Sequence, residues 1–172
     1  MVLMWILIVA GVILAALGVA MLLGLWRLSR NQPATHDMTL GVSEGALSPC
    51  PASPNCVSTQ ADASDPTHHV APIQYRSVRE RIRDALVEWV QHQADAELVM
   101  ERDDYLHAVF RSRVFGFRDD LELLLPPDEP VVHLRSASRV GYGDMNANRQ
   151  RYQAVREAVH QVDRESGGTQ RD

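Results

Sequence analysis

The chain has 172 residues, a formal net charge of −5 and 17 basic residues, every one of them arginine. Without lysine there is no Schiff-base chemistry, no phosphate-loop lysine and no buried-lysine base. Beyond Arg30, 15 arginines face 22 acidic residues; that leaves about −7 on a stretch long enough for one ordinary domain, and a nucleic-acid partner is not expected.

Met1 to Trp26 contain no charged side chain. About 25 apolar or small residues suffice to cross a bilayer as one tilted helix, so residues 1–26 are expected to be a transmembrane anchor, with the membrane met through residues 2–26. A cleaved leader fits less well: the start is not basic, and Met21-Leu22-Leu23 carry the apolar run past the small residues Gly18 and Ala20. Arg27 and Arg30 after the helix argue for a cytoplasmic domain by the positive-inside rule. Cys50 and Cys56, the only cysteines, argue for a disulfide in an oxidising compartment. The balance tips narrowly to the periplasmic side of a bacterial inner membrane.

Residues 27–75 are rich in Pro, Ser, Ala, Asp and Thr and read as an extended arm carrying the cysteine pair. Pro49, Pro51 and Pro54 stiffen it. A metal site on Cys50, Cys56, His68 and His69 is the rival to a disulfide, but its spacing departs from that of zinc sites. No metal and no cofactor is expected.

An α+β domain is expected over residues 76–165. Ser77-Val78-Arg79-Glu80 has the form of a capping box, and Val78, Ile82, Ala85, Leu86, Trp89 and Val90 make one apolar helical face. Four strands are then predicted over 96–102, 105–115, 119–125 and 131–140, with connections too short for crossover helices, hence a four-stranded antiparallel meander. A last helix is predicted over 147–164, with Tyr152, Val155, Val159 and Val162 facing inward; residues 166–172 are expected to be a disordered tail.

Alternation along the strands puts Leu106, Ala108, Phe110, Ser112 and Val114 on the face under the helices, with Leu121, Leu123 and Leu125 from the next strand. His107, Arg111, Arg113, His133, Arg135 and Arg139 fall on the other face. Arg111, Arg113, Arg135 and Arg139 are the candidate ligand-binding residues, because guanidinium groups grip carboxylate or phosphate in a forked geometry. Asp119, Asp120 and Glu122 compete for them, and the rival reading is a solvated charge ladder across the strands.

The segment Leu47-Ser48-Pro49-Cys50-Pro51-Ala52-Ser53-Pro54-Asn55-Cys56-Val57-Ser58-Thr59, taken with Arg135-Ser136-Ala137-Ser138-Arg139-Val140-Gly141-Tyr142-Gly143-Asp144 and Asn148-Arg149, resembles domain-of-unknown-function family 1499 over about residues 40–162. The resemblance implies a compact domain behind a membrane or export segment and implies no activity. Gly141-Tyr142-Gly143-Asp144 lacks the third glycine of a dinucleotide fingerprint and reads as a tight turn, with Asp144 or Asn146 capping the last helix. Ser112, Ser136 and Ser138 sit in no nucleophile elbow.

The leading expectation is therefore a non-enzymatic envelope module that binds a partner or an anionic lipid or other ligand on an open, arginine-rich sheet face. The alternatives are a hydrolase-like enzyme with a cleft near Tyr142, Asp144, Asn148 and Arg149, and a purely structural subunit of a membrane complex.

Overall fold

In the computed structural model, which describes residues 1–33 and 39–168, the meander forms as the alternation predicts, but the sheet is larger than expected. β5 (Ala96–Glu101), β6 (Tyr105–Arg111), β7 (Arg118–Leu124) and β8 (Val131–Ser138) pair antiparallel in sequence order. The predicted arm contributes the rest. β3 (Cys56–Ser58) and β4 (Ile73–Gln74) both pair antiparallel with β8, and β1 (Val42–Ser43) pairs with β2 (Ala46–Leu47) in a separate hairpin. The sheet thus has six strands, not four. Two- and three-residue strands carry too little alternation to stand out in a proline-rich segment; they form because β8 would otherwise expose its unpaired backbone groups at the sheet edge.

The long apolar helix α1 runs over Val2–Arg30, one turn past Trp26, with no residue buried. It is long and apolar enough to cross a membrane. α2 (Arg79–Gln91) and α3 (Ala147–Gly168) cover one face of the sheet. Ile82, Leu86 and Val90 from α2 and Tyr152, Val155, Val159 and Val162 from α3 pack on Leu106, Ala108, Phe110, Leu121, Leu123, Val132 and Leu134. The tail expected beyond α3 falls mostly outside the described residues; residues 166–168 continue the helix.

Local chemistry shifts two of the expected details, the entry to α2 and the end of β6, and meets a third, the cap of α3. The capping box does not form: Val78 is the N-cap of α2 and is 63% exposed, while Asp163 of α3 accepts from the backbone N–H of Arg76 and Ser77 and so takes over the chain entry. Asp144 caps α3, accepting from the backbone N–H of Asn146 and Asn148. And β6 ends four residues early, at Arg111, because Ser112 closes a turn. Its backbone N–H donates to the Phe117 carbonyl, its hydroxyl accepts from Phe117 N–H, and Gly116 at φ +66° reverses the chain. Ser112 and Val114 are therefore not core residues, and Val114 is 81% exposed.

Candidate functional site

The second face of the sheet carries the predicted charges, and the parity of the strands is as expected. Arg111, Arg135 and Arg139 share that side with His107, Asp120 and Glu122. The face is not open, however. Leu47 of the β1–β2 hairpin packs on Tyr105 and Leu124. The Gly41 N–H donates to Glu122 Oε1 at 2.7 Å, and the Pro33 carbonyl accepts from Arg139 Nη1 at 2.8 Å. The chain leaving α1 is folded back over the sheet, so groups that alternation alone assigns to solvent are buried: His107, Asp120 and Glu122 are at most 2% exposed.

Two carboxylates organise this layer. Asp120 accepts from Arg139 Nε and Nη2 at 2.9 and 2.8 Å and lies 2.8 Å from His107 Nε2. Burial alone would raise its pKa, but the hydrogen bonds from His107 and Arg139 outweigh that and hold it below the usual carboxylate range. Glu122 accepts from the Tyr105 hydroxyl at 2.8 Å and from Arg135 Nη1 at 2.9 Å, besides the Gly41 amide. Burial and the adjacent Glu122 charge push the Tyr105 hydroxyl far above its ordinary value, so it acts as a donor and not as a base. One nitrogen, Arg135 Nε, is buried without a hydrogen-bond partner. These are buried pairs with their hydrogen-bonding capacity largely used, unlike the solvated ladder that was the rival reading.

The four candidate arginines consequently divide. Arg135 and Arg139 lie inside the layer, tied to Glu122 and Asp120. Arg111 ends β6 with its side chain 51% exposed and 3.1 Å from Glu97, and Arg113 is exposed in the β6–β7 turn. The structure does not bring all four to one accessible surface.

A second polar cluster lies on the helix side, and the two sequence strings meet in it. β3 brings Cys56, Val57 and Ser58 opposite Ala137, Ser136 and Arg135 of β8. Asn148, fully buried at the start of α3, donates to the Asn55 carbonyl at 2.8 Å and to Ser138 Oγ at 3.1 Å, and its Oδ1 accepts from Ser136 at 2.7 Å and Arg151 at 2.7 Å. Arg151 continues to Asp119 at 2.9 Å and lies over the Phe110 ring. Asn55 Nδ2 donates to the Gly141 carbonyl at 2.8 Å. Ser136 and Ser138 therefore serve the packing of α3 on β8. Next to Asn55, Cys50 and Cys56 form a disulfide that closes the turn before β3, which removes the metal alternative; His68 Nδ1 instead lies 2.6 Å from Asp65. That hydrogen bond raises the His68 pKa.

A family model described as a protein of unknown function, DUF1499, matches residues 46–159. The chain belongs to the DUF1499 family. No curated protein and no solved structure matches it significantly. The DUF1499 match begins at β2 and ends within α3, so it contains both strings, the disulfide and all four latch side chains, Asp120, Glu122, Arg135 and Arg139. It leaves outside α1, Pro33 and Gly41.

Sequence reasoning missed Tyr105, His107, Asp120 and Glu122 as a buried set. The available signal was the pattern Asp120-x-Glu122 facing Arg135-x-x-x-Arg139 across adjacent strands, which supplies equal and opposite charge; what covers it could not be seen. It also missed Asn55 and Asn148 as partners, the Asn148 side chain reaching the Asn55 carbonyl across 93 positions of sequence.

Proposed function

We propose that the protein is a non-enzymatic, single-pass module of a bacterial envelope, anchored by α1 in the inner membrane with its domain on the oxidising side, and that it engages a partner or an anionic ligand at the anchor-proximal end of the sheet. Arg111 and Arg113 are the contact residues in this reading; Arg135 and Arg139 hold the arm in place. The observation that carries it is the difference in burial among the four arginines: two are committed to carboxylates in a closed layer, and two remain at the surface beside the anchor. The disulfide supports the oxidising side. An uncleaved anchor is supported by Gln32, which is 9% exposed and bonds both to Ser29 at the end of α1 and to the β6–β7 turn, so the anchor end is part of the domain's packing.

The enzyme alternative has less support. Asp144 is engaged as a helix cap and Asn148 is buried in four hydrogen bonds, which leaves neither free to meet a substrate.

The test uses the full chain in phosphatidylcholine nanodiscs, titrated with two soluble anions, glycerophosphoglycerol and hexaglutamate. Binding of either that is salt-dependent and at least threefold weaker in the Arg111→Gln/Arg113→Gln double variant supports the reading. No binding of either anion, or binding that the double variant leaves unchanged, sinks it.

A further inference from the structure

The anchor and the β6–β7 turn are joined at three points. Ser29 Oγ donates to the Phe115 carbonyl, Gln32 Nε2 donates to the Gly116 carbonyl at 3.0 Å, and Gln32 Oε1 accepts from Arg118 N–H. Gly116 is needed here for its φ of +66°; a Cβ would only come into ordinary contact with Ser29 Oγ. The turn therefore cannot stand in water at an arbitrary distance from the bilayer; its height is set by α1.

That height is below the last turn of the helix. Val114 and Phe115 share an apolar cleft of about 450 Å³ with Val19, Leu22, Leu23 and Trp26. Val19 lies roughly 16 Å along the axis from Arg30 at 1.5 Å per residue. If α1 spans a membrane, with Trp26 at the interface belt and Arg27 and Arg30 among the headgroups, then Val114 and Phe115 sit where headgroups give way to acyl chains. Val114, 81% exposed in the isolated chain, is out of place in water and well placed there. Beside it, Arg111 and Arg118 are cross-strand neighbours and Arg113 adjoins Val114, on a domain whose overall charge is negative, with Asp95 and Glu97 the acids beside Arg111 and Arg113; Arg27 and Arg30 lie in the last turn of α1.

We infer that the β6–β7 turn is a second membrane contact: Val114 and Phe115 insert among the acyl chains beside α1, and Arg111 and Arg113 meet anionic lipid headgroups of the same leaflet. This deepens the reading above by naming lipid phosphate as the anion. The turn and the anchor then fix the domain's tilt as two feet.

The test is a single-cysteine label on the full chain with the native disulfide intact. Val114→Cys carries an NBD fluorophore; Val78→Cys, at the opposite end of the sheet, is the control. Nanodiscs contain phosphatidylcholine with or without phosphatidylglycerol, and lipids with a nitroxide near the top of the acyl chain serve as quenchers. The expected result is blue-shifted, nitroxide-quenched emission at 114 and water-like emission at 78, with a further blue shift from phosphatidylglycerol that is lost in Arg111→Gln/Arg113→Gln. Water-like emission at 114 in both lipids overturns the insertion, as does blue-shifted emission that nitroxide lipids fail to quench, which would mean that another copy of the chain covers the turn. Quenching that is the same with and without phosphatidylglycerol supports insertion of the turn and overturns the anion reading of Arg111 and Arg113.

Discussion

Replacing Arg139 with methionine removes the guanidinium ion-paired with Asp120 while keeping most of the side-chain volume. Both side chains of the pair are 1% exposed, and the change deletes the bonds from Nε and Nη2 to Asp120 and from Nη1 to the Pro33 carbonyl. Breaking a buried pair from one side costs about 3–5 kcal/mol, and the lower end is expected here because Asp120 keeps His107 Nε2 at 2.8 Å. That is a large share of the 5–15 kcal/mol that typically holds a domain together. Urea unfolding of the full chain in nanodiscs, followed by Trp89 fluorescence, reads the loss; Trp89 packs near Phe110 in the domain. The pH dependence has a definite sign. In the wild type the folded pKa of Asp120 is depressed, so its contribution is present above the unfolded value of about 3.9 and is lost only as pH falls through the folded value. In Arg139→Met the lowering by Arg139 is lost while that by His107 stays, so the folded value rises relative to the wild type, and the penalty is greatest at neutral pH and shrinks as pH falls toward about 5 and through that value, at about 1.4 kcal/mol per pKa unit. The double variant Arg139→Met/Asp120→Asn, which removes both charges, should recover much of the loss at pH 7. A single variant that costs less than about 1 kcal/mol, gains nothing at pH 5 and is not rescued by Asp120→Asn would mean that this pair is solvated and that the arm does not seal the sheet.

Two further outcomes follow from the helix side of the sheet. Reduction of Cys50–Cys56, which spans a sequence separation of 6, should lower the urea stability by about 2 kcal/mol from loop entropy alone, read as a shift in midpoint with and without reductant. Asn148→Ala removes four side-chain hydrogen bonds at a fully buried position, although the Asn55 carbonyl keeps the Ser138 N–H and Arg151 keeps Ser136 and Asp119, and should cost about 2 kcal/mol, with Asn148→Asp intermediate, since it retains the acceptor for Ser136 and loses both donors.

The parts of the fold that could be read in advance are those where one rule acts alone. Helical spacing gives the buried faces of α2 and α3, and period two assigns the residues of β6, β7 and β8 to the correct sides of the sheet. The errors fall where a distant residue outbids a local one. Ser77 and Glu80 match a cap, yet Asp163 captures the amides. The alternation of β6 runs on to Phe115 in sequence, yet Ser112 and Gly116 turn the chain. For the site, the charge complement of Asp120 and Glu122 with Arg135 and Arg139 is legible, whereas burial is not: it depends on a segment whose composition looks like a linker and which reaches the sheet through main-chain groups.

That last point bears on what else the latch tolerates. On the domain side the fastening uses specific side chains, Glu122 and Arg139; on the arm side, among the described residues, they meet main-chain groups, the N–H of Gly41 and the C=O of Pro33. Any residue but proline has such an N–H, yet Gly41 stands at φ +101°, where glycine is favoured. The interlocking is therefore asymmetric in information: at Pro33 the sheet reads the backbone and not the side chain, whereas Gly41 is held by its conformation and Ser29 and Gln32 by their side-chain bonds to the β6–β7 turn and Arg118. A different tether keeps the same closed face only where it reproduces those three positions.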